Sequence, residues 1–504
     1  MFQTDAVEYF VSKPAKSRRT NILRLSGELG IKSPQVRKRF QNRLVHNIHD
    51  ALRRAEVDYE LHRQWARIDV ESDDERAGEI LARIYGIKGV VPATRYSWET
   101  LDDILDLGEQ LYAERVEGKK FAVRARRVGN RDGIDFQSGD VNRQLGARLF
   151  DASAGVDLDH PEVVVGVEIR EDEVFFLDEE LPGPAGLPMG TEGKALCLMS
   201  GGFDSAVAGW MMQKRGIDLD FLFFNLGGPA HERGVRDVTK RLCELWSNGY
   251  AAKLHVVDLR SLVAEMKQNV RGSYWQLLLK RLMMRAAHLL CVEQGYPAMI
   301  TGESAGQVSS QTLMNLAAIQ QPIPTPILRP LVGLNKNDIT ELARHIGTFD
   351  ISASVPEFCA LDGGRPVTTC TPDKLDVEEA RVSQTLLETL VEKRRTHDVL
   401  EMASGDEIVD VEINRVPEGA VVLDLRTHVA DNAWSYPDSV HLPFEKAIEN
   451  VAYLPKEGTY LLCCEVGLKS AFLAEQMRRA GFEAYSFRGG THALKRHQKK
   501  QQTV

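Results

Sequence analysis

The sequence predicts a multidomain protein, with an α+β amino-terminal region followed by two α/β units. Its 504 residues are enough for about three to four domains, each with its own core. From residue 194 to about residue 351, short apolar runs alternate with amphipathic helical runs, and a smaller alternating stretch begins near residue 407. Such alternation predicts parallel sheets covered by helices, which bind ligands beyond the carboxyl ends of their strands.

Composition narrows the classes of function. The chain is 43% hydrophobic and 27% charged, contains no run as long as a membrane span and begins without an apolar signal core. We therefore expect a cytoplasmic protein with no membrane partner. Its seven cysteines follow neither a disulfide framework nor a CxxC zinc pattern, which leaves core packing or redox chemistry at selected positions.

Charge is distributed unevenly along the chain. The net charge is −9, but residues 13–67 hold fourteen Lys and Arg side chains against five Asp and Glu, and residues 119–148 hold eight against three. This asymmetry predicts an amino-terminal part that binds a polyanion. A solvated basic face without a partner fits the same pattern.

The amino-terminal region is predicted to be α+β. Residues 121–127 alternate like a half-exposed strand whose polar side is basic, with Arg124, Arg126 and Arg127 as candidate contacts to an RNA backbone. Residues 181–193, rich in glycine and proline, are predicted to form a linker. The other predicted elements are strands at 21–25 and 68–70, helices at 36–52, 75–84, 101–116 and 140–150, and a hairpin at 163–169 and 174–177.

The run SGGFDS at residues 200–205 is the strongest motif, and it lies between a predicted strand at 195–199 and a predicted helix at 206–215. A pair of glycines lets the backbone turn tightly and aim successive N–H groups at one point, where the helix N-terminus adds partial positive charge. These features suit a phosphate, and the absence of Gly-Lys-Ser/Thr excludes a Walker A loop. The alternative is a strand-to-helix turn that binds nothing.

Side chains of the same run extend this prediction. The amides of Gly201 and Gly202, with the hydroxyls of Ser200 and Ser205, could hold a triphosphate. Asp204 could bind Mg2+ or orient the polyphosphate, so we expect Mg2+ with the nucleotide and no dedicated metal site. As the alternative, Asp204 and Ser205 cap the helix.

Further candidates lie on other elements of the same α/β unit. Lys280 is on a helix at 276–291 that is apolar nearly all round, where a cation needs an anion or must extend to the surface. Gly302 would allow close backbone approach, Gln311 offers an amide to a base or substrate edge, and Lys336 is an additional candidate. The remaining elements predicted here are strands at 220–224, 253–257 and 298–301 and an acidic helix at 377–393.

A second constellation is near the carboxyl terminus. A buried strand is predicted to end in Cys464, and the following loop leads into a helix at 471–479. N–H donors and the helix dipole would lower the pKa of such a thiol and stabilise a thiolate or persulfide, and Lys469 adds a cation. The alternative is a buried inert cysteine, which is our interpretation of Cys463 on the opposite strand face.

A second cysteine is needed if Cys464 takes part in thiol exchange. Cys359 lies between the two α/β units, and Cys370 follows eleven positions later. A structural, unpaired role is open to either, and the sequence alone does not pair them.

Taken together, these motifs resemble the tRNA 4-thiouridine synthase family of tRNA sulfurtransferases. SGGFDS matches the PP-loop signature, and the passages NILRLSGELGIKSPQVRKRF, FFNLGGPAHERGVR, LLLKRLMMRAA, TGESAGQVSSQTL, ILRPL and SVPEFC are similar to the family's own. VVLDLR, HLPF and FRGG, with the Cys464 loop, resemble a rhodanese domain. The resemblance implies a ferredoxin-like domain at 21–74, a THUMP RNA-binding domain at 75–180, a PP-loop ATP pyrophosphatase domain at 194–375, a helical linker at 376–406 and a rhodanese domain at 407–494. Residues 1–20 are an extension without a counterpart, and residues 495–504 are a basic tail that we expect to be mobile.

The resemblance also implies roles for single residues. Cys464 would carry a persulfide, and Cys359 would form a disulfide with it. Lys469 stands where sulfide-accepting rhodaneses often have arginine, which weakens the case for thiosulfate use but not for persulfide relay. The nucleotide contacts that the resemblance implies are Leu198 and Met199 beside the adenine, and Lys280, Gly302 and Gln311.

The implied reaction is ATP-dependent thiolation of uridine 8 in tRNA. Uridine O4 would attack the α-phosphate of ATP, release pyrophosphate and leave an adenylated base. The Cys464 persulfide, loaded by a cysteine desulfurase, would deliver sulfur to C4, and Cys359 would release it as a disulfide forms. The family also supplies sulfur to a small sulfur-carrier protein for the thiazole of thiamine. The sequence does not determine the oligomeric state, and a homodimer is compatible with it.

Two other functions fit part of the sequence. An amide-forming ATP pyrophosphatase shares the Ser-Gly-Gly-x-Asp-Ser pattern but has no use for a basic amino-terminal half or a rhodanese loop. A non-catalytic RNA-binding protein with decayed domains is disfavoured by the intact loops at Asp204 and Cys464.

Overall fold

The structure, a computed structural model, describes residues 19–63, 67–128, 135–227, 229–355, 365–402, 411–426, 434–465 and 467–501. It divides into two units, Met1–Thr191 and Glu192–Val504. Among the described residues, no helix combines the length and the apolar character needed to cross a membrane.

One sheet runs through the first unit. Its strands are β1 (Arg19–Leu25), β2 (Glu60–Arg63), β3 (Ile68–Glu71), β4 (Ile87–Ser97), β5 (Lys120–Arg127), β6 (Gly155–Val156), β7 (Val163–Ile169), β8 (Glu173–Leu177) and β9 (Leu181–Pro182). They are arranged in the order β2-β3-β1-β4-β8-β7-β5-β6, and β9 pairs with β4 as well. The helices of this unit are α1 (Gly27–Gly30), α2 (Pro34–Arg54), α3 (Ala77–Leu81), α4 (Leu101–Val116) and α5 (Ser138–Phe150).

Helical apolar spacing positions the helices of this unit on the sheet. In α2, Phe40, Leu44, Ile48 and Leu52 recur every fourth residue and are all buried in one core. The helix predicted at 101–116 is confirmed with the same bounds, and it shares a second core with α5, β5 and β7.

The strand β4 was not predicted from the sequence. It pairs with β1 on one side and with β8 and β9 on the other, so it joins the two halves of the sheet beyond the predicted domain end at residue 74. Gly89 and Pro92 interrupt the β-propensity of this run. At Gly89, a methyl group would lie 2.0 Å from Glu180 Oε1, so a larger residue there would have to displace that side chain. The predicted linker also contributes, since residues 181 and 182 form β9.

The second unit begins with a six-stranded sheet in the order β14-β13-β10-β11-β12-β15, in which β15 alone is antiparallel to its neighbour. The strands are β10 (Lys194–Met199), β11 (Asp218–Asn225), β12 (Lys253–Asp258), β13 (Met299–Ile300), β14 (Ile327–Leu328) and β15 (Arg395–Asp398). The helices are α6 (Phe203–Gln213), α7 (Pro229–Trp246), α8 (Arg260–Asn269), α9 (Trp275–Gln294), α10 (Leu313–Gln320), α11 (Lys336–His345), α12 (Phe349–Ser354), α13 (Pro372–Glu379) and α14 (Gln384–Glu392).

The region predicted as an acidic helix and a helical linker differs from the prediction. Two helices, α13 and α14, replace the single helix expected at 377–393. Ser383 begins α14 as its N-cap by accepting a hydrogen bond from Leu386 N. The end of α13 is fixed by Glu379, which pairs with the buried Arg281 of α9. Further on, β15 adds an edge strand to the sheet, so this part of the predicted linker is not helical.

A second, all-parallel sheet of five strands follows in the order β16-β20-β19-β17-β18. The strands are β16 (Glu412–Ile413), β17 (Val421–Asp424), β18 (Val440–His441), β19 (Thr459–Cys463) and β20 (Glu483–Phe487), and the helices are α15 (Phe444–Asn450), α16 (Leu468–Arg479) and α17 (Gly490–Gln501).

The basic tail predicted at 495–504 is not a mobile end throughout, because residues 495–501 continue α17. Leu494 is fully buried, the His497 ring lies 5.5 Å from that of Phe487, and Trp434 Nε1 donates to Gln498 Oε1 at 3.2 Å. These contacts attach the helix to the sheet.

Candidate active site

The SGGFDS run forms the turn between β10 and α6, as the sequence predicts. Gly201 has φ +81°, in the left-handed region that favours glycine, and Gly202 is the N-cap of α6. A methyl group on Gly201 would lie 2.7 Å from Cγ1 of Val355, the residue after α12. The turn therefore needs glycine for its conformation and for its packing.

The serine hydroxyls of the turn hold its shape. Ser205 Oγ accepts from Ser200 N at 3.2 Å and donates to Gly202 O at 3.1 Å. The two serine hydroxyls are 3.3 Å apart, and Gly202 N donates to Ser200 Oγ at 3.4 Å. This network fixes the loop before any ligand arrives, which is the preorganisation that a phosphate site requires.

Asp204 lies in the first turn of α6 and is not its cap. The N-cap is Gly202, which has no side chain to cap the helix, so the capping role considered for Asp204 and Ser205 is not observed. Asp204 Oδ2 accepts from Gln307 Nε2 at 3.2 Å, which joins α6 to the loop after β13.

Gly302 brings that loop against the turn. A methyl group on Gly302 would lie 2.6 Å from the Asp204 carbonyl carbon and 2.7 Å from Ser205 N. The close approach predicted for Gly302 is thus an approach to the first turn of α6, and no other residue fits there.

Lys280 of α9 reaches the same edge of the sheet. Its Nζ lies 3.6 Å from Oε1 of the buried Glu303, whose other oxygen accepts from Arg329 Nε at 2.8 Å and from Thr301 Oγ1 at 3.2 Å. The anion that the sequence predicted for Lys280 is therefore present within the protein. Sequence reasoning missed Glu303, although a carboxylate directly after Gly302 was a signal.

Gln311 has the character of a ligand-binding residue. Its side chain is 7% exposed, and Oε1 has no hydrogen-bond partner in the described part of the chain. An unpaired buried acceptor is costly unless a ligand supplies a donor. Leu198 and Met199, at the end of β10, are half-buried and buried respectively. An unpaired acceptor suits the amino group of a base, and the preformed turn suits phosphates.

His231, at the start of α7, also touches the turn and was missed from the sequence. It is 3% exposed, and its ring meets that of Phe223 edge-on at 4.7 Å. Burial lowers the pKa of His231 to about 4, against the effect of a hydrogen bond with the Ser200 backbone and of nearby Glu232. No sequence spacing links residue 231 to residue 200, since α7 meets the turn only in the folded chain.

Lys336 is exposed and is the first residue of α11. Asn335 and Asp338 form a reciprocal capping box there, in which Asn335 N donates to Asp338 Oδ2 at 3.4 Å. The role of Lys336 remains a prediction.

Cys464 directly follows β19, and its loop leads into the N-terminus of α16, as predicted. Its Sγ lies 3.5 Å from Ser470 Oγ in the first turn of that helix, and Ser470 Oγ lies 2.8 Å from Ser486 Oγ. A methyl group on Gly490 would lie 2.4 Å from Cys464 O, so the backbone of α17 closes over the loop. The residue is 1% exposed.

Two residues close to Cys464 in the sequence, Cys463 and Lys469, have surroundings that differ from those of Cys464. Burial, with Asp424 nearby, raises the pKa of the Cys463 thiol to about 12, which agrees with our interpretation of Cys463 as inert. Lys469 places its Nζ 5.2 Å from the centroid of the Phe444 ring, a cation–π contact.

The two candidate partners of Cys464 are not equally placed. Cys359 lies outside the described residues. Cys370 is fully buried, its N–H donates to Asn315 Oδ1 at 2.9 Å, and burial raises the pKa of its thiol. The six cysteines within the described ranges are all free thiols.

The three candidate RNA-binding arginines have different partners. Arg126 pairs with the fully buried Glu168 at 2.6 Å, Arg127 donates to Phe136 O at 2.6 Å, and Arg124 donates to Leu158 O at 3.3 Å from an exposed position.

Glu168 is the centre of a larger ion network that also includes Arg67 and Arg170. Burial raises the pKa of Glu168, but the arginines, Arg67 foremost, hold it below its ordinary value. Of the three arginines predicted to contact RNA, Arg126 therefore has a carboxylate partner in this network, whereas the bonds of Arg124 and Arg127 given above are to uncharged carbonyl oxygens.

Comparison with known proteins finds family matches in three parts of the chain. The family model described as thiamine biosynthesis protein (ThiI) matches residues 190–384, the ThiI ferredoxin-like domain matches 21–93, and the THUMP domain matches 99–177. These matches bear out the ferredoxin-like, THUMP and PP-loop parts of the predicted fold.

Relatives match over most of the chain. A tRNA sulfurtransferase of Thermoplasma acidophilum is 38% identical over 459 residues, which cover 91% of this chain and 92% of that protein. One of Psychromonas ingrahamii is 35% identical, covering 92% and 98% respectively. Among solved structures, the chain is similar to a 4-thiouridine synthetase in a crystal structure of its complex with RNA and bound ATP. The two sequences are 31% identical, and the structures have a TM-score of 0.66, with 75% of this chain and 99% of that chain covered.

Proposed function

The chain belongs to the tRNA sulfurtransferase family, a family of transferase enzymes, and we propose on this premise that it uses ATP to convert a uridine of tRNA, at position 8, into 4-thiouridine. The observation that carries the proposal is the Ser-Gly-Gly turn between β10 and α6, a preformed phosphate cradle at the carboxyl edge of a parallel sheet.

ATP fits the residues around this turn. The turn that contains Gly201 and Gly202 leads directly into the start of α6, where the helix dipole favours the negative charge of phosphates. The unpaired Gln311 Oε1 accepts the adenine amino group, and Leu198 and Met199 supply the apolar wall. Lys280 completes the site from α9.

Mg2+ would enter with the nucleotide. Asp204 offers one carboxylate beside the turn, and Mg2+ in such sites is held by one or two carboxylates together with substrate phosphates and water. The ion would neutralise charge on the polyphosphate. Asp204 and its partner Gln307 then orient the phosphates.

The first step activates the base. Uridine O4 attacks the α-phosphate of ATP, the bond from that phosphorus to the bridging oxygen breaks, and pyrophosphate leaves. The base becomes an O4-adenylate, whose leaving group is AMP. The chain's part is to hold the two reactants in line and to balance the charge of the leaving pyrophosphate.

The second step delivers sulfur from Cys464. A cysteine desulfurase loads Cys464 as a persulfide, whose terminal sulfur attacks C4 of the base and displaces AMP. Cys359 then attacks the Cys464 sulfur, which releases 4-thiouridine and leaves a Cys359–Cys464 disulfide for a dithiol to reduce. The position of Cys464 in a loop at the N-terminus of α16, beside an all-parallel sheet, supports this role.

Cys359 is the preferred exchange partner, as the resemblance to the family implies. Burial raises the pKa of the Cys370 thiol, which opposes thiolate formation. In the sequence, Cys359 comes four positions after Val355, which packs against Gly201 of the turn.

Other partners follow from the same chemistry. We infer that tRNA binds through the amino-terminal unit, where Arg124 and Arg126 are exposed, and that the enzyme works in the cytoplasm. The carboxyl-terminal domain would also pass sulfur to the sulfur-carrier protein for thiamine thiazole synthesis.

The proposal is tested on Asp204, with Asp338 as the matched control. Both carboxylates lie in the first turn of a helix, but Asp338 belongs to a capping box. Pyrophosphate release is measured with ATP and unmodified tRNA. We expect release by the wild-type protein to require tRNA, Asp204→Asn to slow it on the order of 100-fold and Asp338→Asn to leave it near wild type. Pyrophosphate release at the same rate with and without tRNA, or an Asp204→Asn variant with the wild-type rate, would contradict the proposal.

A further inference from the structure

Two serine hydroxyls connect the sulfur of Cys464 to the N-cap of α16. Cys464 Sγ lies 3.5 Å from Ser470 Oγ, which lies 2.8 Å from Ser486 Oγ. Ser486 Oγ in turn donates to Gly467 O at 3.1 Å. Both serines are fully buried. The four groups form a continuous series of hydrogen bonds, Cys464–Ser470–Ser486–Gly467, which we call the hydroxyl chain.

The direction of each bond follows from the number of protons available when Cys464 is a thiol. A carbonyl oxygen only accepts, so the single hydroxyl proton of Ser486 is used on Gly467 O. Ser470 must therefore donate to Ser486, and the S–H of Cys464 donates to Ser470. In this arrangement every donor of the hydroxyl chain has an acceptor.

A thiolate at Cys464 requires the opposite direction. It has no S–H to donate, and Cys464 belongs to the same buried apolar cluster as Leu462 and Ala471, where an anion without a donor is costly. Ser470 Oγ is within reach of the sulfur, but it donates there only after its proton has turned away from Ser486. Ser486 then donates to Ser470 in place of Gly467 O.

Gly467 tolerates this reversal. Its carbonyl oxygen also accepts from the backbone N–H of Ala471 at 3.1 Å, so it remains hydrogen-bonded when Ser486 turns away. Each hydroxyl only rotates about its C–O bond, and no proton passes between the two serines. We propose that Ser470 is a catalytic residue of sulfur transfer, the donor to the Cys464 thiolate, and that Ser486 is the positioning residue that pairs with Ser470 in either direction. This inference rests on the proposed role of Cys464 as the sulfur carrier.

The thiolate is the form of Cys464 that accepts sulfur. The thiol proton passes to water, and the thiolate attacks the outer sulfur of the persulfide on the desulfurase. An S–S bond forms at Cys464, the S–S bond of the donor breaks, and the donor leaves as a thiolate. The electron pair of the broken bond leaves with the donor, so the exchange needs no oxidant or reductant.

The two serines should act on the thiolate in opposite directions, whereas serines that only supported the loop would act alike. Ser470→Ala removes the donor to the anion. Ser486→Ala removes the acceptor that Ser470 uses in the thiol form and leaves the Ser470 proton for the sulfur. The matched control is Thr491→Val, since Thr491 donates to Cys464 O through its backbone N–H at 2.9 Å and its buried hydroxyl lies outside the hydroxyl chain.

The thiolate-to-thiol ratio of Cys464 is measured at the pH where half of it is ionised in the wild-type protein. The readout is the ultraviolet thiolate absorbance of each protein minus that of the same protein with Cys464→Ser. We expect Ser470→Ala to lower the ratio about 10-fold, the effect of a hydrogen bond to a charged group less the neutral bond given up at Gly467. Ser486→Ala should raise it roughly 2- to 10-fold, because its thiolate gives up no such bond.

Two further variants and the control complete the test. Ser470→Thr keeps the hydroxyl and should restore most of the wild-type ratio, and Thr491→Val should match the wild type. The double variant Ser470→Ala/Ser486→Ala should lower the ratio as Ser470→Ala does, and it decides the question if Ser470→Ala does not fold.

A wild-type ratio in Ser470→Ala or in the double variant would overturn the inference, and so would a change of the same sign in Ser470→Ala and Ser486→Ala. The measurement uses neither ATP nor tRNA, so these results leave the proposed thiolation of tRNA standing. A wild-type protein whose Cys464 takes up no sulfur from a cysteine desulfurase would instead overturn the proposed function and the inference with it.

Discussion

At the scale of single residues, the candidate nucleotide site requires glycine at two positions. Gly302 lies so close to the first turn of α6 that a methyl group would overlap the backbone of Asp204, and Gly201 needs a positive φ. Glu303, behind Lys280, places a buried carboxylate between that lysine and Arg329. Lys280 is therefore held by a partner before it meets a phosphate, which limits its motion.

The choice between Cys359 and Cys370 is also a prediction about residues. In the wild-type protein, one round of thiolation without reductant should leave a Cys359–Cys464 disulfide, detected by mass spectrometry after non-reducing digestion. Cys359→Ser should instead accumulate a covalent adduct of tRNA with Cys464, because nothing displaces the Cys464 sulfur. Cys370→Ala is the control and should behave as the wild type, since its thiol is buried. A disulfide between Cys370 and Cys464 would contradict the assignment.

The roles of Gly201 and Gly202 in the turn, and the position of Cys464 between a strand and a helix, were predictable from residue type and from the order of the neighbouring elements. His231 and Glu303 were not, because their roles arise when α7 and the β13 loop fold against the turn. Likewise, the sequence predicted Arg126 as a free cation for RNA, and only the fold brings it to Glu168. Local pattern identifies backbone requirements, whereas pairing partners come from tertiary contacts.

At the scale of elements, long segments with one clear period were the most predictable. The helix expected at 276–291 is observed as α9, Trp275–Gln294, because its apolar run has no interruption. The central strand β4 was not predicted, because Gly89 and Pro92 interrupt its pattern. In the structure, β4 is stabilised by pairing with β1, β8 and β9. The break between α13 and α14 was not predicted, because the single helix was inferred from its acidic composition. That composition does not reveal that Ser383 is the N-cap of a second helix.

The pairing of β12 with β15 makes stability depend on pH. Burial lowers the pKa of His255 to about 4, whereas the unfolded chain binds this proton near 6.5. The stabilisation is therefore complete above pH 6.5 and is lost as the pH falls toward 4, by about 3 kcal/mol in all. The charged groups that face His255 are Asp220, Glu293, Arg394 and Lys253.

Urea unfolding measures this effect. Between pH 7 and pH 5, the wild-type protein should lose about 2 kcal/mol more stability than His255→Leu, which has no proton to bind. Equal losses in the two proteins would show that His255 is protonated in the folded state, contrary to its burial.

At the scale of the whole molecule, the proposed mechanism assigns its two steps to the two sheets of the second unit. In that mechanism, the turn after β10 activates the base and the loop after β19 carries sulfur. Arg233 of α7 lies 3.5 Å from Glu412 of β16, so α7 connects the two sheets. Cys464 is buried, and the proposed delivery of sulfur therefore requires its thiol to become exposed.

The central claim is that activation and sulfur delivery are separate steps, and Cys464→Ala tests it most directly. Pyrophosphate release and the near-ultraviolet absorbance of 4-thiouridine are measured on the same tRNA, with ATP, a cysteine desulfurase and cysteine. We predict that Cys464→Ala releases pyrophosphate in a tRNA-dependent burst but forms no 4-thiouridine, while the control Cys463→Ala forms it as the wild type does. Full thiolation by Cys464→Ala, or loss of both signals together in a folded protein, would contradict the account.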